Sequence, residues 1–371
     1  MGAGVLGAAA AFNLARMGLR TIVLERRTPN QGGSGATAGN LHIQAINPLR
    51  PGQGKEADAR RFLPLQIAAS ALWDHVEDEL DATIDLQRSG GFMVAETEAE
   101  VAALTRKHAL EQSEGLPTEL VEGETVRRAL PLLSTGVLAA LWCAQDGFAN
   151  PGQVTPAYLE AAKRLGAEVR VHMPLVALRR LGVDWIAMTP EGAVAAPLVL
   201  DLAGSWMAEV AAMAGIALAI RPIAIQVQAT SPQPSVLRHL VQHAGLSLSV
   251  KQVRSGELVI GGGWPAERMD LLGESAPSEH STVCNIALAA RVLPFLADLP
   301  IDRVWAGPLV TTPDELPVVG EVPGAPGFLV AGGTYSFTLA PLWGLVLAQL
   351  ATGRPPAVNM AGLGPARLMA D

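Results

Sequence analysis

Gly2-Ala3-Gly4-Val5-Leu6-Gly7 narrows the choice of fold more than any other stretch of the chain. It is a G-x-G-x-x-G run at the mouth of a helical pattern from Val5 to Met17. In such a run the first glycine permits a tight turn, the second lets a pyrophosphate approach the backbone, and the third allows close packing of helix on sheet. The free N–H groups and positive dipole end of the helix then face the phosphates. Glu25 follows, 18 residues beyond Gly7, at the end of the strand-like TIVLE. Its carboxylate is placed to accept the ribose hydroxyls of an adenosine, which disfavours a 2′-phosphate and hence NADP. The run ordinarily follows a strand, and here it follows only Met1. The expectation is a first strand missing from the front of the dinucleotide unit, through a start placed late.

With 371 residues the chain is long for a single core, so two domains are expected. Hydrophobic residues make up 49% and charged ones 17%, a balance that fits a well-buried enzyme and excludes a disordered chain. A net charge of −8 without any basic run argues against a nucleic-acid partner. Cys143 and Cys284 stand far apart with no C-x-x-C partner, so neither a zinc site nor a disulfide framework is expected, and a reducing cytoplasm is the expected setting. The apolar front from Gly4 to Leu24 is interrupted by Asn13, Arg16, Gly18 and Arg20, so it reads as helix, turn and strand and not as a transmembrane segment.

Beyond Glu25 the chain enters the small-residue stretch GGSGATAGN. A helical pattern covers Lys55 to Leu80, with Phe62, Leu65, Ala69, Leu72 and Val76 on one face. RSGGFMVAE reads as a strand and EAEVAALTRKHALEQ as a helix. Closely spaced strand candidates follow a helix at TPAYLEAAKRLG: AEVRVH, DWIAMTP, APLVLDLAG, AIQVQAT, SLSVKQV and ELVIGGG. Mixed elements early and clustered strands late imply two sheets of different kinds. The fold class expected is α/β, a Rossmann-type FAD-binding domain over 1–85, 145–222 and 305–371. It is interleaved with an antiparallel-sheet substrate domain over 86–144 and 223–304.

The stretch after Glu25 separates FAD from NAD, because a small-residue loop suits close approach to the second half of a long cofactor. LVLDLAGSWMAEVAAMAG, RVWAGPLVTTPDELPVVG and GFLVAGGTYSFTLAPLWG complete a set of four motifs in order. Together they resemble the D-amino-acid oxidase-like FAD-dependent family, which takes in glycine and sarcosine oxidases and amino-acid dehydrogenase subunits. The resemblance runs from Gly2 to about Gly353. It implies that Gly2, Gly4, Gly7 and Glu25 hold the ADP part and that Thr37, Ala38 and Gly39 lie along the pyrophosphate and flavin. It implies that Val176 meets the adenine through its backbone and that Ala203, Gly204 and Trp206 line the cofactor. Gly332, Gly333, Thr334 and Thr338 would sit at the pyrimidine edge of the ring, before a helix starting near Leu339 whose N-terminus stabilises negative charge.

The chain departs from that family at its anchors. Pro308 and Leu309 follow Trp305-Ala306-Gly307 where several relatives carry a carboxylate-pairing arginine, and Ser336 stands in the place of a lysine. A substrate carboxylate then needs Arg50, Arg60, Lys251 or Arg254. Gly307 replaces a tethering cysteine, so FAD is expected to be noncovalent. Val259 falls where oxygen-using relatives keep a lysine, which turns the reading from oxidase toward dehydrogenase, with an electron-accepting partner subunit implied. His42, Tyr335 and Lys251 are the catalytic candidates; their ordinary alternatives are a structural histidine, packing, and solvent exposure. Lys251 and Gln252 fall on one strand, where alternation turns only one of them to the pocket. Trp264 fits either the pocket wall or the sheet edge, and Asp314 fits a turn.

The resulting reaction is oxidation of a C–N bond of an amine or amino acid by hydride transfer to flavin, a task dominated by positioning. A 2-hydroxy acid substrate and a non-catalytic flavoprotein subunit are the alternatives.

Overall fold

Four successive alanines carry the front of the chain into the centre of the fold. The computed structural model describes residues 1–45, 56–270 and 273–369. In it the helix Val5–Arg16 is buried from Val5 to Leu14. Its small side chains let two other helices, Pro151–Arg164 and Ala340–Ala351, lie against it. The helix Ala340–Ala351 approaches so closely that a Cβ on Gly344 would stand 2.7 Å from the Ala9 carbonyl group. The expected end at Met17 is the cap residue, and Gly18 turns the chain at φ +83°.

The strand Ile22–Leu24 then pairs in parallel with Glu168–Arg170. A second small sheet sets Val199–Asp201 parallel to Phe328–Gly332, with Val318–Glu321 antiparallel beyond it. Met1 and Gly2 lie between these sheets. Gly2 donates its N–H to Leu24 O at 2.9 Å, Leu202 donates to Met1 O at 3.0 Å, and the Met1 ammonium donates to Leu200 O at 2.7 Å.

The other sheet is eight-stranded, in the order Ile301–Thr311, Arg221–Thr230, Leu258–Pro265, Ser249–Gln252, Leu240–His243, Gly91–Ala95, Ala139–Cys143, Thr118–Glu122. Neighbours are antiparallel except Leu240–His243 with Gly91–Ala95, which run parallel, so the sheet is mixed. Ile301–Thr311 continues through residue 305, so the expected boundary there falls inside one strand. Alternation sorts the two faces. Phe92, Val94, Val241, Val250, Leu258 and Ile260 pack against Ala289 and Val292 of the helix Glu279–Val292. The opposite face meets the helix Glu98–Ser113 at one end, through Met93, Ala95 and Leu104, and the cavity described below at the other.

Three antiparallel strands, Ala177–Leu181, Asp184–Thr189 and Gly192–Ala196, form a meander outside these three sheets. The helical pattern expected from Lys55 to Leu80 is described as Glu56–Trp73 and Val76–Leu80, and Lys55 lies outside the described residues. Among the described residues no helix is long and apolar enough to cross a membrane.

Candidate active site

A cavity of about 1220 Å³ runs between the small sheets and the large one. The glycine turn forms one end. Gly2 has φ +92°, and a Cβ on it would come within 2.7 Å of Leu202 O. A Cβ on Gly4 would stand 2.8 Å from Ser34 Oγ, and one on Gly7 1.9 Å from Gly2 O. Gly2 and Gly4 line the cavity, whereas Gly7 closes the turn onto its helix. Val5 donates its N–H to Ser34 Oγ at 2.9 Å, a contact that no sequence motif signals.

The Glu25 carboxylate lines the same end and accepts the N–H groups of Ala3 and Arg27, each at 2.8 Å. Each oxygen keeps a second acceptor position. Ala203, Gly204 and Trp206 line the cavity here, and the Arg26 guanidinium sits 3.8 Å from the Trp206 ring centre. A turn stripped of side chains, a helix N-terminus and one carboxylate fit the ADP half of FAD.

The middle of the cavity is lined by Thr37 and Ala38, while Gly39 turns away and backs onto Ala149 and Pro151. Trp305 Nε1 donates to Ala36 O at 2.8 Å. Gly307 faces Ala36, where a Cβ would lie 2.2 Å from the alanine methyl. No side chain is available at 307 to tether a cofactor.

At the far end Gly332, Gly333, Thr334, Tyr335, Ser336 and Thr338 line the wall, and the helix Ala340–Ala351 begins directly after them with Leu339 at its cap. Thr334 donates to Glu315 O at 2.5 Å and Ser336 to Gly333 O at 2.7 Å. The buried Thr338 hydroxyl accepts from His42 N at 3.2 Å and donates to Asn40 O at 3.3 Å. Tyr335 adopts φ +59°, and its ring meets that of His42 edge-on at 5.8 Å. Two of the three catalytic candidates are thereby brought together on the cavity wall.

Beyond them the wall is the large sheet. Met93 pairs with Gln242, Gln242 with Ser249, and Ser249 with Gly261, so four adjacent strands present one row of residues to the cavity. Behind the row lies a buried polar group that the sequence reading missed. Asp146 accepts from Ile43 N at 2.8 Å, Gln44 Nε2 at 2.8 Å and Gln242 Nε2 at 3.2 Å. Lys107 donates to Gln44 Oε1 at 3.3 Å and pairs with Glu111, which also accepts from Ala45 N at 2.7 Å. Burial pushes the Asp146 carboxyl up to about 6, against the pull of the Ile43 N–H, Gln44 and Lys107.

Several expectations need correction. Val176 does not line the cavity: its N–H donates to Met188 O at 2.8 Å, beside the meander, and its side chain points to solvent. Met173, Pro174 and Leu175 line the wall in its place. Lys251 and Gln252 are both buried, and neither lines the cavity. Lys251 Nζ donates to Ala38 O and lies 4.5 Å from the Phe148 ring centre. Burial holds its amine well below the ordinary lysine range. Arg60 pairs with Glu114 at 2.8 Å and Arg254 with Asp85 at 3.0 Å, neither on the cavity. Arg50 lies outside the described residues. Trp264 donates to Ser247 O at 2.6 Å from outside the cavity lining. Asp314 needs no correction: it lies in a turn, accepts from Leu316 N at 3.2 Å and pairs with Arg367 at 2.7 Å. Among the described residues no group of three His, Cys, Asp or Glu could hold a metal ion.

Comparison with known proteins agrees with this geometry. A family model described as FAD dependent oxidoreductase matches residues 1–350. Glycine oxidase of Geobacillus kaustophilus is 26% identical over 369 residues, covering 97% of this chain and 94% of that one. Mitochondrial dimethylglycine dehydrogenase of Mus musculus is 27% identical over 360 residues, covering 90% of this chain but only 39% of its own length. Among solved structures, the Geobacillus kaustophilus glycine oxidase superposes with a TM-score of 0.87 at 24% identity, covering 100% of this chain and 98% of that one. L-proline dehydrogenase of P. horikoshii shares the fold equally, with a TM-score of 0.87, 24% identity and coverage of 99% and 96%.

Proposed function

Because the chain belongs to the FAD-dependent oxidoreductase family, we propose that it oxidises the C–N bond of an amine or amino acid, leaving an imine that water hydrolyses. FAD, when bound, supplies the acceptor for the substrate hydride. The observation that carries the reading is the continuous cavity, which leads from the glycine turn past Thr338 to the His42–Tyr335 pair and the sheet row. Relatives named glycine oxidase and dimethylglycine dehydrogenase support a nitrogen-bearing donor. The chain's own residues bind and orient: Glu25 and the turn hold the adenosine end, Thr338 fixes the backbone of His42, and the sheet row excludes water from the reacting carbon. FAD held this way is noncovalent.

We further assign the chain to the dehydrogenases, with electrons passing to a partner subunit or a quinone. Val259 is buried and pairs across the strands with Lys251. That lysine has a backbone carbonyl as its hydrogen-bond acceptor, and burial favours its uncharged form. No fixed cation is therefore supplied from this side to stabilise charge building on oxygen.

The test has two stages. Amines, amino acids and the matching hydroxy acids are screened without oxygen for loss of flavin colour, which only the nitrogen compounds should cause. Reduced enzyme is then mixed with oxygenated buffer or a quinone. Reoxidation by oxygen as fast as turnover would make the protein an oxidase.

A further inference from the structure

Given that the reaction is amine oxidation, the buried group behind the sheet row reaches the reacting cavity through two carboxamides. Gln44 and Gln242 both line the cavity, and Asp146 does not. Asp146 receives one N–H from each carboxamide on the same oxygen, Oδ2. A carboxylate only accepts and an ammonium only donates, so the orientation of both amides is forced. Gln44 is held at both ends, its nitrogen on Asp146 and its oxygen on Lys107. Gln242 is held by its nitrogen alone. Its Oε1 accepts no hydrogen bond among the described residues, and the residue lines the cavity.

The acceptor stands close to the chemistry. Residues 42 to 44 are pinned between the two ends of the site, His42 N on Thr338 and the N–H groups of Ile43 and Gln44 on Asp146. Two residues of chain span at most about 7 Å, so Gln44 stands within that distance of His42, and its carboxamide and that of Gln242 meet at Asp146. No lysine or arginine side chain lines this end among the described residues.

We propose that Asp146 is a positioning residue that turns Gln242 Oε1 into a fixed acceptor for an N–H on the reacting nitrogen, so that the site prefers primary and secondary amino acids over tertiary ones. A neutral amine with one or two N–H groups satisfies that oxygen. A fully alkylated nitrogen leaves it dehydrated and unpaired, at the cost of one hydrogen bond.

The FAD-loaded enzyme is mixed without oxygen with glycine, N-methylglycine or N,N-dimethylglycine, and loss of flavin colour is followed over a range of concentrations. The better of the first two should exceed N,N-dimethylglycine about tenfold in rate over half-saturating concentration. Gln242→Met keeps the length of the side chain and removes the acceptor, so that preference should fall to near unity. Asp146→Asn, whose one acceptor oxygen cannot serve both amides and the backbone N–H groups of Ile43 and Gln44 together, should lower the preference through the half-saturating concentration and not the limiting rate.

If no member of the series bleaches the flavin, amine oxidation itself fails and this assignment with it. If the amines bleach it but N,N-dimethylglycine is as good, the selectivity is wrong. If Gln242→Met weakens all three equally or keeps the ratio, Gln242 does not read the nitrogen. The Met variant leaves the Asp146–Gln44 contacts in place, so the test survives if Asp146→Asn does not fold.

Discussion

Glu25 is tied to one backbone N–H of the glycine turn, that of Ala3, and to another just beyond its own strand, that of Arg27, and this changes what its loss would do. Glu25→Ala removes both the acceptor proposed for the ribose and the bonds to Ala3 and Arg27. FAD affinity should fall by about 1–3 kcal/mol in a titration followed by flavin fluorescence. Glu25→Gln, which keeps one acceptor, should lose less; equal losses would mean that charge alone matters.

Asp146 makes the second prediction. Its carboxyl ordinarily titrates near 3.8 and burial raises it to about 6, with Lys107, Glu111 and Cys143 as the titratable groups around it. Below the lower value it is neutral whether the chain is folded or not. As pH rises through the window, the unfolded chain releases the proton first, so the folded state loses about 3 kcal/mol that it holds in acid. Asp146→Asn should flatten that part of the dependence of urea midpoints on pH; an unchanged slope would place the titration elsewhere. Nothing in the sequence marks these groups. A buried carboxylate beneath two glutamines has no spacing signature, because its partners come from a loop, a helix and a strand far apart in the chain.

Element by element, legibility followed the strength of the local pattern. The helix Val5–Arg16, the strand Ile22–Leu24 and the helix Glu98–Ser113 lie where the sequence places them, and the structure adds to the last a capping box of Thr97 and Glu100. The strands Ala177–Leu181 and Gly192–Ala196 were missed because most of their residues are exposed, so no alternation shows. The helix Glu279–Val292 was missed too, for its first turns mix Ser, Thr, Val and Asn, which carry weak helix propensity. How two recognised helices meet was not legible at all. Gly344→Ala would place a methyl 2.7 Å from the Ala9 carbonyl and 2.9 Å from Asn13 Nδ2, forcing the helices apart. A loss of about 1–3 kcal/mol is expected in urea unfolding. Gly364→Ala, with open space around it, serves as the control, and equal effects from both would remove the packing explanation.

Across the whole molecule, the motifs located one side of the cavity and were silent on the other. Gly2, Gly4, Thr37, Gly332 and Thr338 are legible because a backbone close to a ligand demands small or hydroxylated residues in a fixed order. The facing wall is made by register instead: Met93, Gln242, Ser249 and Gly261 are unremarkable singly, and become neighbours only when four strands align. Strands stand about 4.8 Å apart, so this row is a graduated stop laid across the cavity. Its last step, Gly261, has no side chain. A Cβ there would meet Ser249 Oγ at 3.4 Å and Val227 at 3.8 Å, both ordinary contacts. The length of substrate admitted can therefore be trimmed one methyl at a time from that position, by mutation in the laboratory or by drift in a lineage, with the backbone and the cofactor's cradle left where they are.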